Sequence, residues 1–233
     1  SRKTQLYTAI GLVVGYLILM CFVPVPGIGI PDLSVPEKNW AHYIDRLYLP
    51  GVLWQKTWDP EGILSTLPAI ATGIFGMLAG YIIKSQKQLS EKLIELFIMG
   101  SVLLFFGDIL QYIFPLNKNL WSSSFTLFLA GISSLALGFF VFICDLKQWG
   151  KHLTFAQIFG VNSIFTYALA GILTTIFYSD RIWGFKFNDI FMEGLTAVGV
   201  APKLASLLYA LLYAGIIWLP AKYLYNKKIY IKL

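Results

Sequence analysis

Charge is scarce in this chain: only 13% of its 233 residues are Asp, Glu, Lys or Arg, against 57% hydrophobic, and the mean hydropathy is +0.69. That balance excludes an ordinary soluble domain and indicates an integral membrane protein. Strand-like alternation is missing too, which argues against an outer-membrane barrel. Cysteine is limited to Cys21 and Cys144. They fall near opposite ends of different expected spans, so they cannot pair, and with no His nearby each is expected to be a small packing residue. No zinc motif, phosphate-binding loop or Gly-x-Ser-x-Gly elbow occurs, and no metal is expected. The opening Ser-Arg-Lys-Thr does not resemble a signal peptide. The outer loops carry no Asn-x-Ser/Thr sequon, which favours a bacterial cytoplasmic membrane over a glycosylated compartment.

What the chain does have is apolar length. Six stretches can cross the hydrocarbon as helices, at about 5–23, 63–83, 91–113, 121–144, 154–178 and 203–225. The expected fold is an all-α, polytopic membrane helical bundle forming one transmembrane domain over 1–233. Lys and Arg concentrate in 1–4, 84–92, 145–152 and 222–233, at a density about three times that of the other loops. The positive-inside rule therefore puts both termini in the cytoplasm. The net charge of +6 then calls for a lipid bilayer and no nucleic acid. Lys84, Lys87, Lys92, Lys147 and Lys151 could bind an anionic co-substrate, or simply be solvated positive-inside residues.

The span 63–83 is uncharged and follows directly on Asp59-Pro60-Glu61-Gly62. Carboxylates are costly to desolvate, so a pair at the mouth of an apolar helix should face water, a cavity or a polar ligand. The bland alternative is a helix start, with Pro60 early and an acid meeting the positive end of the dipole, worth about 0.3–1 kcal/mol. Pro68 is expected to kink the outer half of this span. Thr72, Gly76 and Gly80 make a narrow face that a neighbouring helix can approach closely, and Gly11 and Gly15 repeat that spacing in the first span. Asp108 is an acid inside a span, a site candidate close enough to the outer end to snorkel. Asn162 and Ser163 serve either as interhelical glue or as a functional contact.

The first outer loop contains Asn39-Trp40-Ala41-His42-Tyr43-Ile44-Asp45-Arg46-Leu47-Tyr48, apolar at helical spacing. Asn39 can cap such a helix and Pro50-Gly51 can end it. A short interfacial helix is expected, with His42, Asp45 and Arg46 on its wetter side, acting as a lid or as a surface anchor. His42 is expected to be solvated. Between the third and fourth spans lie Asn117, Lys118, Asn119 and Trp121, and Trp54 precedes the acidic tetrapeptide. Amides, carboxylates and indoles together suit saccharide recognition, although aromatic belts also place Trp at this depth.

Ordered words across most of the chain give it a resemblance to a known family. They are Pro24-Val25-Pro26-Gly27, Tyr43-Ile44-Asp45-Arg46-Leu47, Asp59-Pro60-Glu61-Gly62-Ile63-Leu64, Asn117-Lys118-Asn119-Leu120-Trp121-Ser122, Asn162-Ser163-Ile164 and Lys227-Lys228-Ile229. In these the chain resembles the heparan-α-glucosaminide N-acetyltransferases. The resemblance implies a multispan enzyme that takes acetyl from cytoplasmic acetyl-CoA and delivers it to a sugar amine, such as glucosamine in heparan sulfate, on the other side. It also implies a catalytic His in a region upstream of this chain; neither His42 nor His152 matches that motif. The chain is thus expected to be the C-terminal portion, inactive alone, with N-terminal helices of the same protein as partners and homodimerisation left open. Asp59 and Glu61 would orient the base or the substrate. Arg46, with Asp45, would contact an anionic sugar; Asn117, Lys118, Asn119 and Trp121 would hold hydroxyls and ring; and Asp108, Asn162 and Ser163 would lie within substrate reach. The alternative is a carrier of saccharides or lipid-linked precursors, although no internal repeat emerges.

Overall fold

The computed structural model describes residues 1–54 and 56–231; the side chain of His152 also lies outside the described set. Among the described residues there are nine α-helices and no named strand. They are α1 (Arg2–Phe22), α2 (Trp40–Tyr48), α3 (Thr66–Lys84), α4 (Leu89–Leu110), α5 (Ser123–Val141), α6 (Thr154–Val161), α7 (Ser163–Tyr178), α8 (Phe187–Ala197) and α9 (Pro202–Asn226). Five are long and apolar enough to span a bilayer: α1, α3, α4, α9, and α5 with the π turn Phe142–Leu146 that continues it. The fold is an all-helical, polytopic membrane architecture. By internal packing the chain divides into two units, Ser1–Gln148 and Trp149–Leu233.

In the first unit α1 packs on α3, α3 on α5, and α5 on α4. One core cluster gathers Ala9, Val13, Ala71, Ile74, Phe75 and Ala130. A second, of Tyr16, Met20, Ala41, Phe114 and Leu120, fastens α2 and the loop before α5 to one end of the bundle. Ile94, Ile98, Phe105 and Phe106 on α4 stay exposed, as side chains facing lipid would be.

Three local expectations need correction. The small-residue face of α3 is not the site of closest approach: a Cβ added at Gly76 or Gly80 would meet nothing within 4 Å. With Thr72 these glycines instead line an open cleft of about 390 Å³ against α4 and α5. Close approach occurs between α4 and α5, where a Cβ on Gly131 would lie 2.5 Å from the Leu104 nitrogen and one on Gly107 2.5 Å from that of Phe128. Small residues permit contact but do not select the partner.

Pro68 also behaves differently. The helix begins at Thr66 rather than Ile63, so Pro68 sits in its first turn, where the missing N–H is one that would have no intrahelical partner anyway. The expected kink has no cause there. Finally, the stretch 154–178 is broken: α6 and α7 meet at Asn162 at 84°. Asn162 is fully buried, and its φ of −122° and ψ of 43° interrupt the helix.

Candidate functional site

The segment between α1 and α3 folds around α2. Asn39 caps it as expected, its side-chain oxygen accepting the His42 N–H at 3.0 Å. The Trp40 indole donates to the Val23 carbonyl at 2.8 Å, tying the helix start to the end of α1. The faces, however, are reversed relative to the sequence expectation. His42 and Asp45 are buried, at 4% and 0% exposure, while Leu47 and Tyr48 are 56% and 69% exposed. Only Arg46 keeps the wet position assigned to it. The helix turns His42 and Asp45 inward because Trp58, Gly62 and Ile63 of the following loop pack against them, and Leu47 and Tyr48 are left exposed.

Asp45 is the joint between α2 and the acidic tetrapeptide. Its Oδ1 accepts the Ile63 N–H at 2.9 Å. Gly62 is required beside it, since a Cβ there would fall 2.1 Å from Asp45 Oδ2. The Gly62 carbonyl in turn accepts the Ser65 and Thr66 hydroxyls, at 2.9 and 3.1 Å, which starts α3. Asp59 organises its own loop, accepting the Trp54 N–H on Oδ2 at 3.1 Å and the Glu61 N–H on Oδ1 at 2.9 Å. The Glu61 side chain is exposed. Arg46 donates to the Glu37 carbonyl at 3.0 Å, and the Glu37 carboxylate accepts the Thr57 hydroxyl at 2.9 Å.

His42 lies inside this clasp. Its Nδ1 makes a short hydrogen bond to the Pro36 carbonyl, and Trp58 stacks on the ring at 5.1 Å. Nδ1 lies between the Pro36 carbonyl, which only accepts, and the Asn39 side-chain amide nitrogen at 2.9 Å, which only donates, so one tautomer cannot satisfy both. Nε2 is buried without a partner, as is Asp45 Oδ2. Burial depresses the His42 pKa, with Arg46 adding to the effect; the Pro36 bond and Glu37 oppose it. Burial raises the Asp45 pKa against the Ile63 N–H, which favours the carboxylate.

The loop before α5 belongs to the same end of this unit. Asn117 folds it, its Oδ1 accepting the Asn119 and Leu120 N–H groups at 2.9 and 3.1 Å. Tyr16 on α1 donates to the Leu120 carbonyl at 2.7 Å, and the Trp121 indole donates to Thr72 on α3 at 3.1 Å. Lys118 and Asn119 point outward. A cleft of about 250 Å³ opens between this loop and the segment joining α1 to α2, lined by Leu33, Ser34, Phe114, Pro115, Asn117 and Leu120. Asp108, exposed on α4, accepts from Gln111 one turn on.

Asn162 and Ser163 belong to the second unit. There Asn162 Nδ2 donates to the Ile229 carbonyl at 3.1 Å and Oδ1 accepts the Ile231 N–H at 2.8 Å. Both ends of the amide are thus engaged by the backbone beyond α9. Of the lysines considered for an anionic co-substrate, Lys87 pairs with Glu95 and Lys147 lies over the Phe142 ring. Lys84 and Lys151 are exposed; Lys92 donates to the Ile83 carbonyl at 2.8 Å.

Two curated relatives align along most of the chain: a mouse protein, 30% identical over 207 residues that make up 76% of this chain and 31% of its own length, and a human protein, 29% identical over 228 residues, 85% and 34%. Both are named heparan-alpha-glucosaminide N-acetyltransferase. The chain resembles that acetyltransferase family. It spans about a third of the length of these relatives, and no family model matches it.

The words that carry the resemblance to the N-acetyltransferases meet in pairs in the fold. Asp45 of one touches Gly62 and Ile63 of another, and Asn162 holds Ile229. Sequence reasoning brought Asp45, Arg46, Asp59 and Glu61 to one region, and the structure joins them through Ile63, Glu37 and the Asp59 turn. It missed His42 and Trp58 as an inward pair. The Asn39 cap was the available signal, because it fixes which side of α2 begins against the Pro36–Lys38 turn.

Proposed function

We propose that this chain forms part of a membrane acetyltransferase that passes acetyl from cytoplasmic acetyl-CoA to an amino sugar or saccharide on the outer side. The similarity to two curated N-acetyltransferases over three quarters or more of the chain carries the proposal. The end of the first unit that bears Asp45, Asp59, Glu61 and Asn117 would face the acceptor, and both termini would be cytoplasmic. The remaining catalytic parts, including a base, would come from helices of the same protein outside this chain. A bacterial cytoplasmic membrane is the proposed location.

The chemistry is acyl transfer. The amine nitrogen forms a bond to the thioester carbonyl carbon, the carbon–sulfur bond breaks, the thiolate leaves, and the nitrogen loses a proton. The carbonyl oxygen gains transient negative charge that hydrogen-bond donors must meet. Residues of this chain would bind and orient: the exposed Glu61 carboxylate and the amides of Asn117 and Asn119 suit sugar hydroxyls and a protonated amine, and Arg46 an anionic substituent. Lys84, Lys87, Lys147 and Lys151 are suited to phosphates by charge alone. The test is to supply labelled acetyl-CoA and glucosamine to membranes bearing the complete gene product. Acetylated sugar is expected; transport of unmodified sugar would overturn the proposal.

A carrier is the second reading, favoured by the break between α6 and α7 at Asn162. Broken helices line substrate sites in many transporters. Movement of unmodified saccharide without acetylation is the outcome that would select it.

A further inference from the structure

His42 is the group in this fold whose surroundings suit only one of its protonation states. Its Nδ1 is held between the Pro36 carbonyl and the Asn39 amide nitrogen, its ring is covered by Trp58, and its Nε2 is enclosed with no partner among the described residues. The doubly protonated ring would be a buried cation whose Nε2–H has nowhere to point and whose Nδ1–H faces the Asn39 amide donor. The described residues of the covering loop 49–65 form no helix, and Lys56 takes a left-handed φ of 68°. Two hydrogen bonds tie it to its surroundings, Ile63 to Asp45 on α2 and Thr57 to Glu37.

We propose that His42 is a proton-operated latch, neutral when the loop 49–65 is closed over α2, and releasing that loop when the imidazole takes up a proton. The inference concerns the conformation of the loop and does not depend on acetyl transfer. A solvated imidazole in the open form titrates near its ordinary value of about 6.5, whereas the enclosed ring resists protonation. As pH falls through that value the open form binds the proton preferentially, so closure weakens.

The other charges around the clasp set the window. From the Pro36–Lys38 turn, Glu37 faces His42 and favours its cation; from α2, Arg46 disfavours it. Asp45, one turn along α2, acts in the opposite sense, because its raised pKa lets the closed form take up a proton before the open form does. Asp59, from the covering loop, reinforces that rise. Glu37 is held low by Thr57, so its contribution to closure persists until pH falls through that lowered value. Opening is therefore expected between about pH 6.5 and the point where Asp45 begins to protonate.

Hydrogen–deuterium exchange on the complete gene product in lipid nanodiscs, at pH 7.5, 6.0 and 5.0 with correction for intrinsic rates, tests this through the amide of Ile63, whose acceptor Asp45 lies on α2. Its protection should fall severalfold by pH 5.0, and by no more than about thirtyfold, the limit set by an open-state histidine of ordinary pKa. His42→Gln, neutral and able to hydrogen-bond, should hold protection level across the range, as should His42→Phe, which keeps the stack on Trp58. Wild-type protection that does not change with pH would overturn the proposal. So would a fall in His42→Gln matching the wild type. Should both variants fold poorly, the 13C shift of the His42 ring supplies the readout: titration near 6.5 with the loop still protected would refute the latch.

Discussion

Replacing Gly62 by alanine tests how α2 and the acidic tetrapeptide are joined. The new methyl carbon would lie 2.1 Å from Asp45 Oδ2 and 2.6 Å from both Cγ and Oδ1, far inside ordinary contact. Gly62 is buried against a carboxylate that is itself fully buried, so Asp45 has to retreat by more than about 1 Å. Its 2.9 Å bond from the Ile63 N–H cannot survive that shift. A lost hydrogen bond to a charged or buried group costs about 1–3 kcal/mol, and overpacking adds about 1–3 kcal/mol, so a total of roughly 2–6 kcal/mol is expected. The sign matters, because Gly→Ala at an unstrained position ordinarily stabilises by about 0.4–1 kcal/mol. Denaturant unfolding in detergent micelles measures the loss, and exchange at the Ile63 amide locates it. In an Asp45→Ala background the same substitution should cost little, since the clash has been removed. A Gly62→Ala protein as stable as wild type, with Ile63 still protected, would refute the joint.

Other substitutions separate neighbouring claims. Gly131→Ala should disrupt the α4–α5 contact and lower stability by about 1–3 kcal/mol, whereas Gly76→Ala, with open space around it, should be neutral or mildly stabilising; thermal unfolding of the pair decides. Asn162→Ala removes both bonds to the backbone after α9, so cleavage by trypsin at Lys227 and Lys228 should accelerate, while Asn162→Asp, which keeps the bond from Ile231, should show a smaller effect. Glu61→Gln should leave unfolding unchanged, which makes it a cleaner probe of acetyl transfer than Asp59→Asn. The latter also weakens the turn that Asp59 holds through Trp54 and Glu61, and should lower stability by about 1 kcal/mol.

The parts of the fold that depend on one element at a time were legible in the sequence. Apolar length located the spans, and α2 with its Asn39 cap follows from helical spacing and a local side-chain bond. The parts that depend on what covers an element were not. The periodicity of α2 was read correctly, but periodicity says only that two faces differ; the loop 49–65 decides which one is buried. Likewise the glycines of α3 and of α5 look equivalent as sequence, yet only Gly131 meets a backbone at close range. The break at Asn162 was hidden because its cause, Ile229 and Ile231, lies far along the chain. For the candidate site the structural duties of the acidic residues were not legible: Asp59 spends both oxygens and Asp45 one on backbone N–H groups, while the Glu61 side chain is exposed.

The most direct measurement is acetyl transfer itself. Membranes bearing the complete gene product, given acetyl-CoA labelled in the acetyl group and unlabelled glucosamine on the outer side, should yield labelled N-acetylglucosamine, and Glu61→Gln should reduce the yield without loss of folded protein. Uptake of glucosamine with no label incorporated would contradict the acetyltransferase proposal and assign the broken helix and the outer cluster to a carrier.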